Sequence, residues 1–343
     1  VQGGYFVKSF AKHGELHNPH AYGYFNHAPH ANFRGGHVTV GGIVYQGDSF
    51  PTAFRGKYIA GDLLGHGIYW HNFRQQGSTF GTQHGGELLQ SDDPWFAPTD
   101  VTMGPDGAVY VSDWHDARTA HPDPDADWDR SNGRILRIAA EGTRAPQPID
   151  FATLTMSELL DLHKHPSQWY VRKARVELAD RSHRSSETAT DVVALQSQLR
   201  QRAVGVEDED GALQALWSLA AVGGFDEAVA EQLLTSPHAA VRSWTVRLLG
   251  DVGKVSDAVA HQLDGLAEME TDVHVRQQLA CTARRLPARH AVPIINANIN
   301  RDCDNADPYL PLLWWWAVEQ HSVAGQDEVL RRFVRPTLWQ SAL

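Results

Sequence analysis

The first half of the chain is a succession of short runs in which apolar and polar positions alternate, with glycine-rich turns between them. Runs rich in β-branched and aromatic residues predict four antiparallel strands, which fall at residues 37–46, 57–62, 67–73 and 78–88. A second unit predicts strands at residues 98–103, 108–113 and 133–138. Units of four short strands that recur after about 50 residues are typical of β-propeller blades.

We therefore expect residues 1–148 to form the C-terminal blades of a β-propeller, about two to three in number. So few blades cannot close a ring, because a propeller hides its sheet edges by radial repetition of about 4–8 blades. The expectation is that this half belongs to a longer chain, which also fits a start at Val1. The alternative is a small open sheet packed on the second half.

From residue 152 the apolar positions recur at i, i+3 and i+4, which predicts amphipathic helices through residue 343. Val-Arg pairs open several of them: those at Val241 and Val275 lie 34 residues apart, and those at Val171 and Val241 lie 70 apart. Helix pairs that recur every 30–40 residues or so resemble a HEAT-type α-solenoid. We interpret each Arg as pairing with an acidic residue of the neighbouring repeat.

The change of period predicts that β structure gives way to α structure between Arg137 and Thr155. Pro146 and Pro148 lie in this linker, since proline continues neither a strand ladder nor a helix. The helical period also predicts which side chains are buried between stacked helices: Val171, Ala174, Leu178, Val241, Trp244, Leu248, Val275, Leu279 and Leu286.

Composition excludes several classes of protein. The 343 residues are 42% hydrophobic and 21% charged, which excludes a disordered chain. A net charge of -11 argues against a nucleic-acid or anionic-membrane binder, and no apolar run reaches the roughly 20 residues that span a bilayer. Two cysteines, Cys281 and Cys303, provide neither a disulfide framework nor a cysteine zinc site.

Two segments of the first half have the composition of metal ligands. The histidines between His13 and His37 match no fixed ligand spacing, and surface or hydrogen-bonded histidines explain them as well. An acidic loop places carboxylates at every second position, which resembles a calcium loop: Asp123, Asp125, Asp127 and Asp129. Trp128 and Arg134 stand where an EF-hand needs Gly and Glu, so the alternatives are a looser calcium loop and a solvated acidic turn.

A third candidate site follows the strand that ends at Asp113. Polar residues at strand ends of a radial fold point toward a shared axis, so His37, Asp113, His115 and Arg118 are predicted to converge at one end of the propeller channel. The planar guanidinium of Arg118 suits a carboxylate-bearing quinone. The alternative is that each residue satisfies a local group, for example an Asp–Arg bond that fastens one blade to the next.

Several phrases of the first half resemble a known family. These are Phe33-Arg-Gly-Gly-His37, Asp93-Pro-Trp-Phe-Ala-Pro-Thr-Asp100, Gly104-Pro-Asp-Gly-Ala-Val-Tyr-Val-Ser-Asp-Trp114 and Gly133-Arg-Ile-Leu-Arg-Ile138. They look like the last blades of the large membrane-bound dehydrogenase-type (PVC-type) proteins of planctomycetes and verrucomicrobia, which are distantly similar to sugar and sorbosone dehydrogenases. In that family HEAT-like repeats follow the propeller, and a c-type haem domain often follows the repeats.

The resemblance implies a fragment of an extracytoplasmic oxidoreductase, periplasmic or membrane-associated, that oxidises a sugar or alcohol. Pyrroloquinoline quinone and calcium are the implied cofactors, and electrons would pass to a haem c domain outside this chain. The family's general base histidine comes from an early blade, before Val1, so activity of this chain alone is an open question. The alternative is a non-catalytic propeller and HEAT protein that binds a glycan or protein, with a partner docked on the solenoid. A third, less favoured hypothesis is a cytoplasmic scaffold.

Overall fold

The chain combines two antiparallel β-sheets with a series of helices that follows them. The computed structural model describes residues 39–63, 65–116, 131–144, 146–184, 188–205, 208–299 and 301–333. The described strands all precede residue 139, and the described α-helices all follow residue 155. The sequence pattern predicted this division into a β half and an α half.

The first sheet contains four strands in sequence order, each antiparallel to the next. They are β1 (Thr39–Val44), β2 (Tyr58–Asp62), β3 (Gly67–Gln76) and β4 (Thr79–Gln90). β2 and the first half of β3 are buried along successive residues and not at alternate ones, and Ile59 and Ile68 are fully buried. These side chains point to the face that packs on the second sheet.

The second sheet contains three strands, again in sequence order. They are β5 (Pro98–Met103), β6 (Val109–Asp113) and β7 (Arg134–Ile138). Val101, Val109 and Val111 pack with Ile59 and Ile68 in one hydrophobic core. Burial of such branched apolar side chains contributes about 1.5–3 kcal/mol each, so this shared core holds the two sheets together.

The change from strand to helix falls inside the predicted interval. β7 ends at Ile138, and a 3₁₀ turn at Phe151–Thr153 precedes the first α-helix. The Thr155 side chain accepts a hydrogen bond from the Glu158 amide, and the Glu158 carboxylate accepts one from the Thr155 amide. This capping box satisfies two helix-end donors and sets where the helical half begins.

Eleven α-helices occupy the described part of the second half. They are α1 (Met156–Asp161), α2 (Gln168–His183), α3 (Ala189–Val204), α4 (Glu209–Ala221), α5 (Glu227–Leu233), α6 (Ala239–Val252), α7 (Asp257–Met269), α8 (Val273–Ala283), α9 (Ala288–Asn298), α10 (Leu310–His321) and α11 (Gln326–Phe333). Over these residues, no helix has the length and apolar character that crossing a membrane requires.

The helices from α2 onward form two layers. Helices α2, α4, α6, α8 and α10 pack one on the next, and so do α3, α5, α7, α9 and α11. Apolar side chains fill the space between the layers. Each helix therefore contacts its neighbours in the stack, and the interior consists of two apolar clusters that meet at the partly buried Phe225.

Most of the predicted interior of the helical half is confirmed. Seven of the nine side chains are buried: Val171, Ala174, Leu178, Val241, Val275, Leu279 and Leu286. The prediction is wrong for Trp244 and Leu248, which are only partly buried. In α6 the neighbouring Leu249 is buried instead, because a helix rotates by about 100° per residue and a one-residue error moves a side chain to the edge of the apolar face.

The Val-Arg arginines of the later repeats pair with carboxylates of the next helix pair, as interpreted from the sequence. Arg242 donates from Nε and Nη2 to Glu270, both at 2.8 Å. Arg276 donates from the same atoms to Asp304 at 2.9 and 2.5 Å. In both pairs the carboxylate lies 28 residues after the arginine. A two-point bond of this kind fixes position as well as charge balance.

The first Val-Arg pair departs from this pattern. Arg172 donates to the side chain of Gln46 in the β half, and the Gln168 amide donates to the Gln46 carbonyl at 3.0 Å. Close by, Arg55 donates to the Pro166 carbonyl at 2.5 Å. The repeat arginine at the junction therefore fastens the helices to the preceding sheet.

A second contact between the two halves is made by a long hairpin. β2 pairs with β3 only up to His71, so residues 72–83 extend as a two-stranded hairpin arm. At its tip, the amide and hydroxyl of Ser78 donate to the two carboxylate oxygens of Asp307, each at 2.6 Å. The ring of Phe80 stacks on His274 with centroids 5.3 Å apart. A lone two-stranded ribbon is marginally stable in water, so this docking stabilises the arm.

We predict that Asp304→Ala destabilises the protein by about 3–5 kcal/mol, because it leaves the buried Arg276 guanidinium without its carboxylate. Asp251→Ala is the matched control, since Asp251 and Arg285 form an exposed pair and such pairs contribute about 0–1 kcal/mol. Chemical denaturation measures both free energies of unfolding. Equal losses for the two variants would contradict a special role for the buried pair.

We predict that Gly77→Ala detaches the hairpin arm. Gly77 has φ +58, and a Cβ there would overlap the Asp307 carboxylate. Gly56→Ala is the control, because Gly56 has φ +82 with nothing within 4 Å of the added Cβ; both variants carry a backbone strain of about 1–2 kcal/mol. Hydrogen exchange should become faster in residues 72–83 for Gly77→Ala alone. Similar exchange of the arm in both variants would show that strain, and not docking, sets its stability.

Candidate functional site

The end of β6 and the turn after it position two of the predicted site residues. β6 ends at Asp113, and the Trp114 amide donates to the Ala97 carbonyl at 2.9 Å. His115 then adopts φ +51, a left-handed conformation that is uncommon outside glycine. The chain turns sharply here, so that the Asp113 and His115 side chains enter one polar cluster.

Asp113 is the buried centre of this cluster, with 3% of its surface exposed. Its Oδ1 accepts hydrogen bonds from the Ala97 amide at 2.8 Å and the His115 amide at 3.0 Å. Its Oδ2 accepts one from Nε of Arg134 at 2.7 Å. A buried carboxylate needs such partners to offset the loss of water, and Asp113 has them on both oxygens.

The imidazole of His115 lies between two acceptors. Its Nδ1 is 2.9 Å from Oδ1 of Asn132, and its Nε2 is 3.1 Å from Oδ2 of Asp93. Both contacts favour the doubly protonated ring. The hydrogen bonds to Asn132 and Asp93 therefore raise the pKa of His115 above its ordinary value of 6.5, although desolvation and the Arg134 charge oppose them.

Asp93 joins the two parts of the cluster. Its Oδ1 accepts a hydrogen bond from the Trp95 amide at 3.0 Å, and its Oδ2 accepts one from Nη2 of Arg134 at 3.0 Å. The Trp95 amide, followed by Arg134 and His115, lowers the pKa of Asp93. We call Asp93, Asp113, His115, Asn132 and Arg134 the strand-end cluster.

The opposite end of the same strands has a matching arrangement. Oδ2 of Asp106 accepts hydrogen bonds from Nε of Arg137 at 2.7 Å and the Tyr110 hydroxyl at 3.1 Å. Asp113 is paired with Arg134 in the β6–β7 register, and Tyr110 with Arg137. Aspartate–arginine bonds therefore join β7 to the β5–β6 hairpin at both ends, within one sheet and not from one sheet to the next.

The strand-end cluster contains charged groups in fixed positions, but these groups already form hydrogen bonds with one another. Both oxygens of Asp113 and both ring nitrogens of His115 have protein partners. In the part of the chain with described coordinates, no three His, Cys, Asp or Glu side chains are grouped so that they could hold a metal ion. The chemistry of the cluster is that of an ion-pair network between strands.

Six of the predicted site residues fall outside the part of the chain that the structure describes. His37 and Arg118 lie outside the described residues, as does the whole candidate calcium loop: Asp123, Asp125, Asp127 and Asp129. Convergence of His37, Asp113, His115 and Arg118 on one channel, and calcium binding by the acidic loop, therefore stay predictions. Only the Asp113–His115 part has a described geometry.

Sequence reasoning missed three members of the cluster. Asp93 and Arg134 stand in the phrases that carried the family resemblance, and Asn132 precedes Gly133. Their partnership with Asp113 and His115 depends on pairing of β6 with β7 and on the loop before β5. A search for acidic residues opposite arginines in the predicted strand register would have found the Asp113–Arg134 pair.

Comparisons with known proteins give a limited result. A family model described as a domain of unknown function (DUF7133) matches residues 16–142, which include all strands of both sheets. No curated protein sequence matches the chain. Among solved structures, the chain is similar to an engineered protein from the Northeast Structural Genomics Consortium, with 16% identity and a TM-score of 0.28 over 54% of this chain and 92% of that one. A likeness this low carries no inference about fold or function.

We predict that the free energy of unfolding decreases as pH rises above about 6.5, because the strand-end cluster stabilises the protonated form of His115. Because the folded-state pKa of His115 is raised, its contribution is complete below pH about 6.5 and is lost as pH passes through the folded value. His115→Gln should flatten this decline in urea denaturation across that window. His261→Gln, at an exposed histidine, is the control; a decline of wild-type size in the His115 variant would contradict the assignment.

Proposed function

We propose that the two sheets are neighbouring blades of a β-propeller and that the helices are HEAT-like repeats. The strand order supports the first part: each sheet runs through its strands consecutively, as blades do. β1 also packs on β5, so the first strands of the two sheets lie side by side. Gly41 of β1 has φ +45, and a Cβ there would lie 2.8 Å from the Asp100 Cα. Such close approach is expected of inner strands near a propeller axis.

The helical half supports the second part of the proposal. Two layers of helices, each contacting its neighbours in the stack, are the architecture of repeat proteins. The arginine–carboxylate bonds of Arg242 and Arg276 recur with the same 28-residue separation. A repeated bond at a repeated position is expected where one structural unit has been duplicated.

At the level of function, we infer that this chain is part of an extracytoplasmic oxidoreductase that resembles quinoprotein sugar or alcohol dehydrogenases, and that the strand-end cluster is a structural component of it. The single observation behind the structural role is that His115 has an acceptor at each ring nitrogen. A general base needs a nitrogen free to take a proton at the working pH. Substrate oxidation, transfer of electrons to a haem c domain outside this chain and the extracytoplasmic location rest on the sequence resemblance alone.

The residues of the strand-end cluster do not fit a quinone or calcium site. A quinone carboxylate needs a free cation, whereas Arg134 is shared between Asp113 and Asp93. Calcium takes about six to eight oxygen ligands, and the carboxylates of the cluster face arginine and histidine instead. We therefore assign no step of the reaction to these residues.

The second candidate function is a non-catalytic protein that binds a glycan or a protein partner. The closed hydrogen bonding of the strand-end cluster favours it, because a site built for chemistry usually keeps a reactive group accessible. Under this alternative the helical stack would provide the docking surface, as other repeat proteins do.

The test is a dye-linked dehydrogenase assay on the full-length protein with pyrroloquinoline quinone, calcium and a panel of aldoses and alcohols. We expect turnover, and we expect His115→Gln to lower thermal stability while kcat changes less than about tenfold; loss of a general acid or base typically costs about 10²–10⁴. A loss in that larger range would overturn the structural role of His115. No quinone binding and no turnover would support the binding protein instead.

A further inference from the structure

A row of cationic and aromatic side chains crosses three successive helices of one layer. The Arg175 guanidinium of α2 lies over the Trp217 ring of α4, 5.1 Å from its centroid. Trp217 meets Trp244 of α6 edge to face, with centroids 5.1 Å apart, and Arg247 lies 4.9 Å over the Trp244 ring. The row ends in a guanidinium on each side. Such stacking holds a guanidinium plane in one orientation.

The two end arginines differ in how their charges are balanced. Arg247 has the Asp251 carboxylate at 3.8 Å. Arg175 donates to Oγ of Ser218 at 3.3 Å and to the Gln214 side-chain oxygen, and among the described residues no carboxylate lies within 4.0 Å of it. By contrast, the partly buried Arg242 and the buried Arg276 each have a bidentate carboxylate.

The surroundings of Arg175 add positive charge. Arg172, one turn earlier on α2, donates to Gln46, and Arg202 donates to the Leu160 carbonyl at 3.0 Å. His163 shares Oγ of Ser218 with Arg175, and burial together with the nearby charges of Arg175 and Arg202 lowers the pKa of His163 to about 4. The histidine is therefore neutral at physiological pH and adds no charge to the surroundings of Arg175.

Burial and the Arg172 charge lower the pKa of Arg175, and the charge of Asp210 opposes them, but the hydrogen bonds of Asp210 go to other side chains. The Asp210 carboxylate accepts hydrogen bonds from Nε2 of Gln214 at 3.2 Å and from Nε2 of Gln168 at 3.5 Å. Gln214 and Ser218 are buried, so packing fixes the positions in which they contact Arg175. In addition, the Trp217 indole nitrogen is a buried donor without an acceptor among the described residues.

Taking charge out of water without a counter-ion is costly, and burial lowers the pKa of Arg175. Nε and Nη2 of Arg175 each donate to a neutral side chain, and among the described residues Nη1 has no acceptor. The planar guanidinium matches carboxylate and phosphate oxygens.

We propose that Arg175 anchors an oxyanion-binding site on the face of α2 and α4, which takes a carboxylate or phosphate group of a ligand. Trp217 and Gln214 hold the guanidinium in position, and Arg172 and Arg202 add long-range attraction. The site is independent of the oxidoreductase proposal, because it uses none of the residues of the strand-end cluster.

The test is a titration with inorganic phosphate and, separately, with sodium acetate, at constant ionic strength set by sodium chloride. The readouts are the melting temperature and the NMR resonance of the Arg175 Nε–H group. The variants are Arg175→Gln, which removes the charge, Arg175→Lys, which keeps the charge without the fork, and Trp217→Phe, which keeps a ring but removes the indole donor. Arg184→Gln is the matched control, at an exposed arginine near the end of the same helix.

We expect at least one anion to raise the melting temperature and to shift the Arg175 resonance in wild-type protein and in Arg184→Gln. Each tenfold rise in anion above its Kd should add about 1.4 kcal/mol of stabilisation. The rise should be absent in Arg175→Gln and reduced in the other two variants. Response to phosphate alone or to acetate alone identifies which oxyanion the site takes.

Phosphate also stabilises proteins without binding to a site, so an equal rise in Arg175→Gln and wild type would overturn the proposal. If Arg175→Gln does not fold, the NMR resonance of wild-type Arg175 decides instead. A chemical shift that does not change at saturating anion, while the protein remains folded, also overturns the proposal. Arg175 would then serve only as a structural contact between α2 and α4.

Discussion

A fully buried guanidinium inside a helical stack must have its charge balanced, and the Arg276–Asp304 pair meets this requirement in the second half of the molecule. Arg276 and Asp304 are both almost fully buried, and two hydrogen bonds join them. An unpaired ion in such a place would cost several kcal/mol, which is a large part of the net stability of a typical domain. The bidentate geometry admits only a narrow range of helix positions. The pair therefore sets how the segment before α10 lies against α8.

The contact between the two halves depends on that placement. His274 lies just before Arg276 on α8, and Asp307 follows Asp304 in the loop that precedes α10. These two residues receive the hairpin arm, through the Phe80 ring and the Ser78 amide and hydroxyl. The same carboxylate of Asp307 also accepts hydrogen bonds from the Tyr309 and Leu310 amides. One ion pair thus positions a docking site for a segment more than 200 residues earlier in the chain.

Features with a local period were the ones that the sequence could predict. The strands, the strand-to-helix change after Ile138 and the Arg242 and Arg276 bonds all follow from alternation, proline placement or repeat spacing. Trp244 and Leu248 were misplaced because the helical face is wide and its edge is not marked by period alone. The hairpin arm could not be predicted, since its partners lie in another half of the chain and share no pattern with it. For the candidate site, strand ends identified Asp113 and His115, while Asp93, Asn132 and Arg134 required the strand register.

The strand-end cluster and the Arg175 site show how the same residue types lead to opposite interpretations. Around Asp113, every charge has an opposite charge or a directed hydrogen bond within the protein, so a ligand would have to break existing bonds to enter. Around Arg175, the hydrogen-bond partners are neutral, the nearby ionised groups are Arg172 and Arg202 with the single carboxylate Asp210, and an indole donor lacks an acceptor among the described residues. Electrostatic balance, and not the presence of His, Asp or Arg by itself, separates a fastened network from a surface that can receive a ligand. By that criterion the helical half is the better place to look for a binding partner.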